Sequence, residues 1–230
     1  MCLTGPSWTK LNMSASFSRR PGWGAAFLLV ALAACVQALA TPTALNVIPT
    51  AEVLTHGSAN FEVQLYGGPT SSGYMFVNQF QTQLGVGGNL ELGFDPSLGP
   101  SKGNYWNVKY GIYRETSRRP ALAVGEFANI PGSSSPFYVM AFKSFGASRL
   151  HAGSIYLGNA PQCMLGWEIG HGHPLVFQAD YISGPGNYTS IGVVINWRNG
   201  ALLNVAQLIG NSSSAPNAYM VIVGWTGKVF

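Results

Sequence analysis

The sequence predicts an all-β protein: an antiparallel up-and-down transmembrane β-barrel of about 12 strands, following an N-terminal signal peptide. Three observations carry that expectation. Only 9% of the 230 residues are charged, against roughly 25% in ordinary soluble domains. Hydrophobic residues make up 47% of the chain, yet they alternate with polar ones in short runs broken by Gly, Pro, Asn and Ser. A basic and then apolar leader opens the chain.

The leader comes first. Arg19 and Arg20 end a polar segment, and Ala25 to Ala34 form an apolar core. That core is shorter than the roughly 20 residues of a membrane-spanning helix. Ala38-Leu39-Ala40 offers the small residues that a signal peptidase accepts, so cleavage after Ala40 is expected. Leu32-Ala33-Ala34-Cys35 also matches a lipobox, which makes Cys35 a lipidation candidate. Residues 1–40 are therefore read as a signal peptide, 41–57 as an extended N-terminal segment and 58–230 as the barrel.

Export changes the charge argument. The leader holds Lys10, Arg19 and Arg20 and no acid, so twelve basic residues fall to nine against eight acidic ones. A mature net charge of +1 gives no basis for nucleic-acid binding, which needs a clustered basic face. Cys163 is then the single mature cysteine, and no internal disulfide can form.

The segment 41–57 is proline-spaced and extended, either a periplasmic leader strand or a plug in the barrel mouth. After it the strands follow in order. Asn60–Gly67 is the first. In Phe76–Val86, Phe76, Asn78, Phe80, Thr82, Leu84 and Val86 oppose Val77, Gln79, Gln81, Gln83 and Gly85. After Gly87-Gly88, Leu90, Leu92 and Phe94 oppose Glu91, Gly93 and Asp95, which completes a hairpin. Next, Trp106, Val108, Tyr110 and Ile112 oppose Asn107, Lys109, Gly111, Tyr113 and Glu115. Ala121–Ala128, Pro136–Phe145 and Arg149–Gly158 are weaker runs. Cys163, Leu165, Trp167 and Ile169 oppose Met164, Gly166 and Glu168. Pro174–Ile182 precedes a strand in which Thr189, Ile191, Val193, Ile195 and Trp197 oppose Ser190, Gly192, Val194 and Asn196. Ala201–Ile209 and Ala218–Thr226 complete the set.

The polar faces are Gln, Asn, Ser and Gly with few charges, whereas a soluble sandwich turns Lys, Glu and Asp to water. A barrel in lipid inverts this arrangement, with oily residues outside and polar ones in the lumen. Lumen-facing candidates are Glu62, Gln79, Gln81, Gln83, Glu91, Asp95, Lys109, Glu168, Asp180 and Asn196, with Lys143 and Arg198 added on the same grounds. Candidates for the lipid face and its aromatic girdles are Trp106, Tyr110, Trp167, Trp197 and Trp225, together with Tyr74, Tyr113, Tyr156 and Tyr181. The terminal Phe230 is out of phase with the apolar set Tyr219, Val221, Val223, Trp225 and Val229.

From about Leu45 onward, NVIPTAEVL, Phe137–Gly158 and the run WEIG…PLVFQADYISGPGNYTSIGVVINW resemble bacterial outer-membrane barrels, including uncharacterised families and the YjbH-like barrels linked to exopolysaccharide. The resemblance implies a fold, a location and an envelope role. Membrane lipids and the barrel-insertion machinery are the expected partners, a polysaccharide or small solute the expected cargo, and a monomer the expected state.

Chemistry is sparse. His171-Gly172-His173 reads as a turn, because zinc needs three or four ligands. His151, Ser154 and Glu168 are the residues of a conceivable lipid-hydrolase triad, but His151 and Ser154 stand three apart and point to opposite faces of a regular strand. No catalytic residue, metal or cofactor is expected. A secreted sandwich that binds carbohydrate through Trp106 or Trp167 is the competing reading, and it requires the oily faces to be buried against a second sheet.

Overall fold

The computed structural model describes residues 44–70, 73–96, 104–129, 136–157 and 160–230, all within one compact unit. The signal peptide 1–40, with Cys35 and Ala40, lies outside the described residues.

The described chain forms twelve strands: β1 (Ser58–Thr70), β2 (Gly73–Gly87), β3 (Leu90–Asp95), β4 (Tyr105–Tyr113), β5 (Ala121–Asn129), β6 (Phe137–Phe145), β7 (Ser148–Leu157), β8 (Ala160–Ile169), β9 (Leu175–Ile182), β10 (Tyr188–Asn196), β11 (Ala201–Gly210) and β12 (Ala218–Lys228). Each pairs antiparallel with its sequence neighbours, and β1 closes on β12 from Ser58↔Lys228 to Gly67↔Tyr219. Closure leaves no unpaired sheet edge. The expected meander is therefore observed, with strand ends moved by a few residues.

Local chemistry sets the turns. Gly88 and Asn89, between β2 and β3, both have positive φ (60° and 61°), as a tight two-residue hairpin requires. The chain enters β1 and leaves β12 at one end of the barrel, where the Val229 amide donates to the Gly57 carbonyl at 2.7 Å. The β2–β3, β4–β5, β6–β7, β8–β9 and β10–β11 turns lie at this same terminal end.

The register of β4 differs from the expected one. Tyr113 and Glu115 were expected on the polar face of β4, in phase with Lys109. The β4–β5 pairing shifts between Gly111 and Tyr113, so Ile112 and Tyr113 are both exposed and the strand ends there. A bulge of this kind inserts a residue and breaks the alternation.

The alternation otherwise holds. Trp106 is 53% exposed and Ile191 60%, so the oily faces are not buried against a second sheet. The outward aromatics fall near the two barrel ends. Tyr110, Tyr113, Phe145, Trp167 and Trp197 lie toward the terminal end, and Tyr74, Phe76, Trp106, Phe137 and Tyr156 toward the other. Val108, Leu165, Ile191, Val205 and Val223 lie between them. Trp225 is only half-buried by comparison: it stacks on Phe61 and its indole N–H donates to the Asn199 carbonyl at 2.9 Å.

Candidate functional site

Part of the barrel interior is filled by the chain's own N-terminal segment. Of the two readings open for 41–57, the described residues adopt the plug. Leu45, Asn46, Ile48, Pro49, Thr50 and Ala51 are buried inside the sheet. The segment turns back on itself through an Ala44↔Pro49 bridge and a hydrogen bond from the Leu45 amide to the Ile48 carbonyl at 2.9 Å. That turn leaves the Val47 amide facing the wall, where a buried backbone needs partners.

The wall supplies them. Asp180 on β9 accepts the Val47 amide at 2.9 Å and the Ser190 hydroxyl. Ser190 in turn accepts Asn46 Nδ2 at 2.9 Å, and Asn46 Oδ1 accepts Asn204 Nδ2 at 3.0 Å. Further along, the Leu54 amide donates to Glu91 at 3.0 Å, and Glu91 pairs with Lys109 at 3.0 Å with both side chains fully buried. Glu52 reaches Arg149 at 3.0 Å.

The plug also buries apolar surface, which the sequence reading of a polar lumen did not anticipate. Leu45, Ile48 and Ala51 pack with Tyr138, Met140, Ile155, Met164 and Ile182 of the inner wall. Gly166 is what permits the approach: a Cβ there would stand 2.6 Å from Leu45 Cδ1 and 2.7 Å from Ile48 Cδ1. One sector of the lumen is thus an oily core, Leu208, Met220 and Ile222 form a second apolar patch against which Val47 packs, and the polar candidates lie between them.

Those candidates all face inward. Gln81, Gln83, Glu91, Asp95, Lys109, Glu168 and Asp180 are buried, and Glu62, Gln79 and Asn196 are half-buried. Asn60 Nδ2 donates to Gln83 at 2.7 Å and to Glu62 at 2.8 Å, Gln81 donates to Gln64 at 3.0 Å, and Gln79 to Asp95 at 3.2 Å. Lys143 and Arg198 do not join them. Lys143 lies at the strand end, 3.3 Å from Glu115, and Arg198 is exposed in the β10–β11 turn. Arg198 sits where a strand runs out into a turn, beyond the reach of the alternation rule, whereas Lys143 obeys the alternation of β6 and falls on its outer face with Phe137 and Val139. Glu115 is outside the strands: partial burial opposes its ionisation, but hydrogen bonds from the Ser144 amide and hydroxyl and the Lys143 ammonium win and hold its carboxyl below the ordinary range.

Glu168 gathers several partners. His151 Nε2, His171 Nδ1 and Arg149 Nη1 each lie 3.3 Å from its Oε1. Arg149, absent from the sequence candidates, also stacks over Phe142 at 4.2 Å. Its signal was available, since Arg149 pairs in register with Glu168 across β7 and β8, but only once the strands are aligned. Ser154 is not part of this cluster. It lies on the outer face and donates to the Gln162 carbonyl at 3.1 Å, so the triad residues are not brought together. His171 and His173 lie in the β8–β9 turn, as their spacing suggested.

Between plug and wall remains a cavity of ≈ 230 Å³, lined by Asn46, Glu62, Gln64, Gln81, Glu168, His171, Gln178, Asn196 and Asn204, with Val176, Val194, Leu202 and Ile222 on its apolar side. No protein-family model and no curated protein matches the sequence.

Proposed function

We propose that the protein is an outer-membrane β-barrel of the bacterial envelope, held closed by its own segment 44–57, with a structural or envelope-associated role rather than that of an open porin or an enzyme. The carrying observation is the outer face. Among the described outward-facing strand positions, Glu126 and Lys143 alone carry charge, and aromatics flank an aliphatic middle. Lys143 is turned to the carbonyls of Thr116 and Ser117 at the barrel end. A closed sheet also satisfies its backbone internally, which lipid demands. The closed barrel further supports a monomer, since no edge awaits a partner. The sandwich reading loses its basis, because one closed sheet offers no second sheet to cover Trp106 or Trp167.

The test is fractionation of the producing cell followed by unboiled gel electrophoresis. Recovery with outer membranes, release only by detergent, and a mobility change on boiling are expected. A detergent-free soluble protein would overturn the proposal.

A further inference from the structure

We infer that the terminal rim of the barrel is a binding surface for the headgroups of anionic phospholipids. The inference rests on the membrane reading and adds which lipid the rim meets. Charge is divided unevenly between the two ends of the barrel. The six connections at the opposite end are mostly Ser, Gly, Pro and Asn, and Lys102 is the one charged residue in their sequence. The terminal end carries Arg114, Arg118 and Arg119 in the β4–β5 turn, Arg198 in the β10–β11 turn and Lys228 at the end of β12, all of them exposed.

None of these five cations forms an ion pair with a described residue. The acids of the rim are already engaged, Glu115 by Lys143 at 3.3 Å and Glu52 by Arg149 at 3.0 Å. Arg114 donates to the neutral Asn89 side chain at 3.0 Å, which leaves its charge uncompensated. The Thr116 amide donates to the Arg119 carbonyl at 3.0 Å and the Arg119 amide to the Thr116 hydroxyl at 3.2 Å, closing the turn that presents Arg118 and Arg119.

The cations adjoin the outward aromatics of the same end. The Arg119 guanidinium lies over the Tyr113 ring at 4.6 Å, and Tyr113 is itself exposed. Arg198 directly follows the exposed Trp197. Tyr and Trp on a barrel's outer face sit at headgroup level, which sets their cationic neighbours level with lipid phosphates. A guanidinium matches phosphate with a planar fork of N–H donors. Solubility alone would be served at either end and by either sign, whereas here one sign is gathered at one end. A zwitterionic headgroup offsets its phosphate with its own cation, so unpaired cations favour a headgroup of net negative charge.

The test uses the full chain, purified in a neutral detergent and titrated with dihexanoyl phosphatidylglycerol or dihexanoyl phosphatidylcholine at neutral pH. Lipid retained in native mass spectra and the thermal unfolding midpoint are read together. Phosphatidylglycerol is expected to bind roughly tenfold or more tightly than phosphatidylcholine and to raise the midpoint further. The difference in midpoint should collapse at about 1 M NaCl, where screening acts over about 3 Å. Arg118→Gln with Arg119→Gln is expected to weaken phosphatidylglycerol about tenfold and leave phosphatidylcholine unchanged. Arg198→Gln with Lys228→Gln probes the same rim on other connections and serves if the first pair does not fold. Equal affinity for the two lipids, wild-type phosphatidylglycerol affinity in either folded double variant, or displacement by inorganic phosphate at equal concentration would overturn the inference and leave the membrane reading standing. A chain soluble without detergent would overturn the membrane reading, and this inference with it.

Discussion

The Val47 amide donates to the Asp180 carboxylate at 2.9 Å, joining the N-terminal segment to β9 across 133 positions of sequence. Asp180 is 3% exposed and is also held by Ser190. A buried carboxylate needs donors, and a buried loop backbone needs acceptors. Each meets the other's requirement, so the wall and the plug order one another.

Removing the carboxylate tests that dependence. Asp180→Ala leaves the Val47 amide without an acceptor and frees Ser190, at a cost of about 1–3 kcal/mol for the unsatisfied donor. The loss falls on the plug, not on the strand ladders. Hydrogen exchange at Val47 and its neighbours is expected to accelerate about tenfold or more, with β10 and β11 protected as before. Uniform acceleration across all strands would contradict a local anchor.

The apolar side of the plug gives a second test. Ile48 is fully buried against the inner wall and Gly166 leaves room for it. Ile48→Ala is expected to lower stability by about 2–5 kcal/mol, read from the denaturant midpoint. Gly166→Val forces a side chain into the space of Leu45 and Ile48, so it should expose the plug to protease while the sheet still closes. An unchanged midpoint for Ile48→Ala would show that this packing holds little of the fold.

How much of this was legible in the chain differs by residue. Alternation placed Glu91, Lys109, Glu168 and Asp180 inside and Trp106 and Tyr110 outside, because a period of two is enforced wherever one face is buried. It failed at Tyr113, where a bulge resets the phase, and at Arg198, where a strand ends; Lys143 is outside because the alternation of β6 itself puts it there with Phe137 and Val139. The oily inner sector at Met140, Ile155 and Met164 was not readable, since its partner, Ile48, comes from a segment with no period of its own. Nor could the Asn46–Ser190–Asn204 chain be read, because it joins residues related only by the closed fold.

The Glu91–Lys109 pair bears on stability through its burial. Both side chains are fully enclosed 3.0 Å apart, and Glu91 also accepts the Leu54 amide. Lys109→Met removes the cation and leaves the acid inside, which is expected to cost about 3–5 kcal/mol. Replacing both, as Lys109→Met with Glu91→Leu, should recover much of that loss, because the desolvation penalty of the acid disappears with it. The measurement is a double-mutant cycle on unfolding midpoints. Additive losses would show that the two charges do not act as a pair.

At the terminal end, Glu115 makes stability depend on pH. Its folded carboxyl titrates below the ordinary range because Ser144 and Lys143 favour the charged form over the penalty of partial burial. A folded value below the unfolded one means the unfolded chain binds the proton first as pH falls. The stabilisation is therefore complete above the ordinary glutamate value, about 4.3, and declines as pH drops through the lower folded one. Wild type should be more stable than Glu115→Gln at neutral pH, and the gap should shrink toward acid. Midpoints of both proteins measured from neutral to strongly acidic pH check the sign, and a gap that widens in acid would reverse the assignment of Ser144 and Lys143 as partners of the ionised carboxylate.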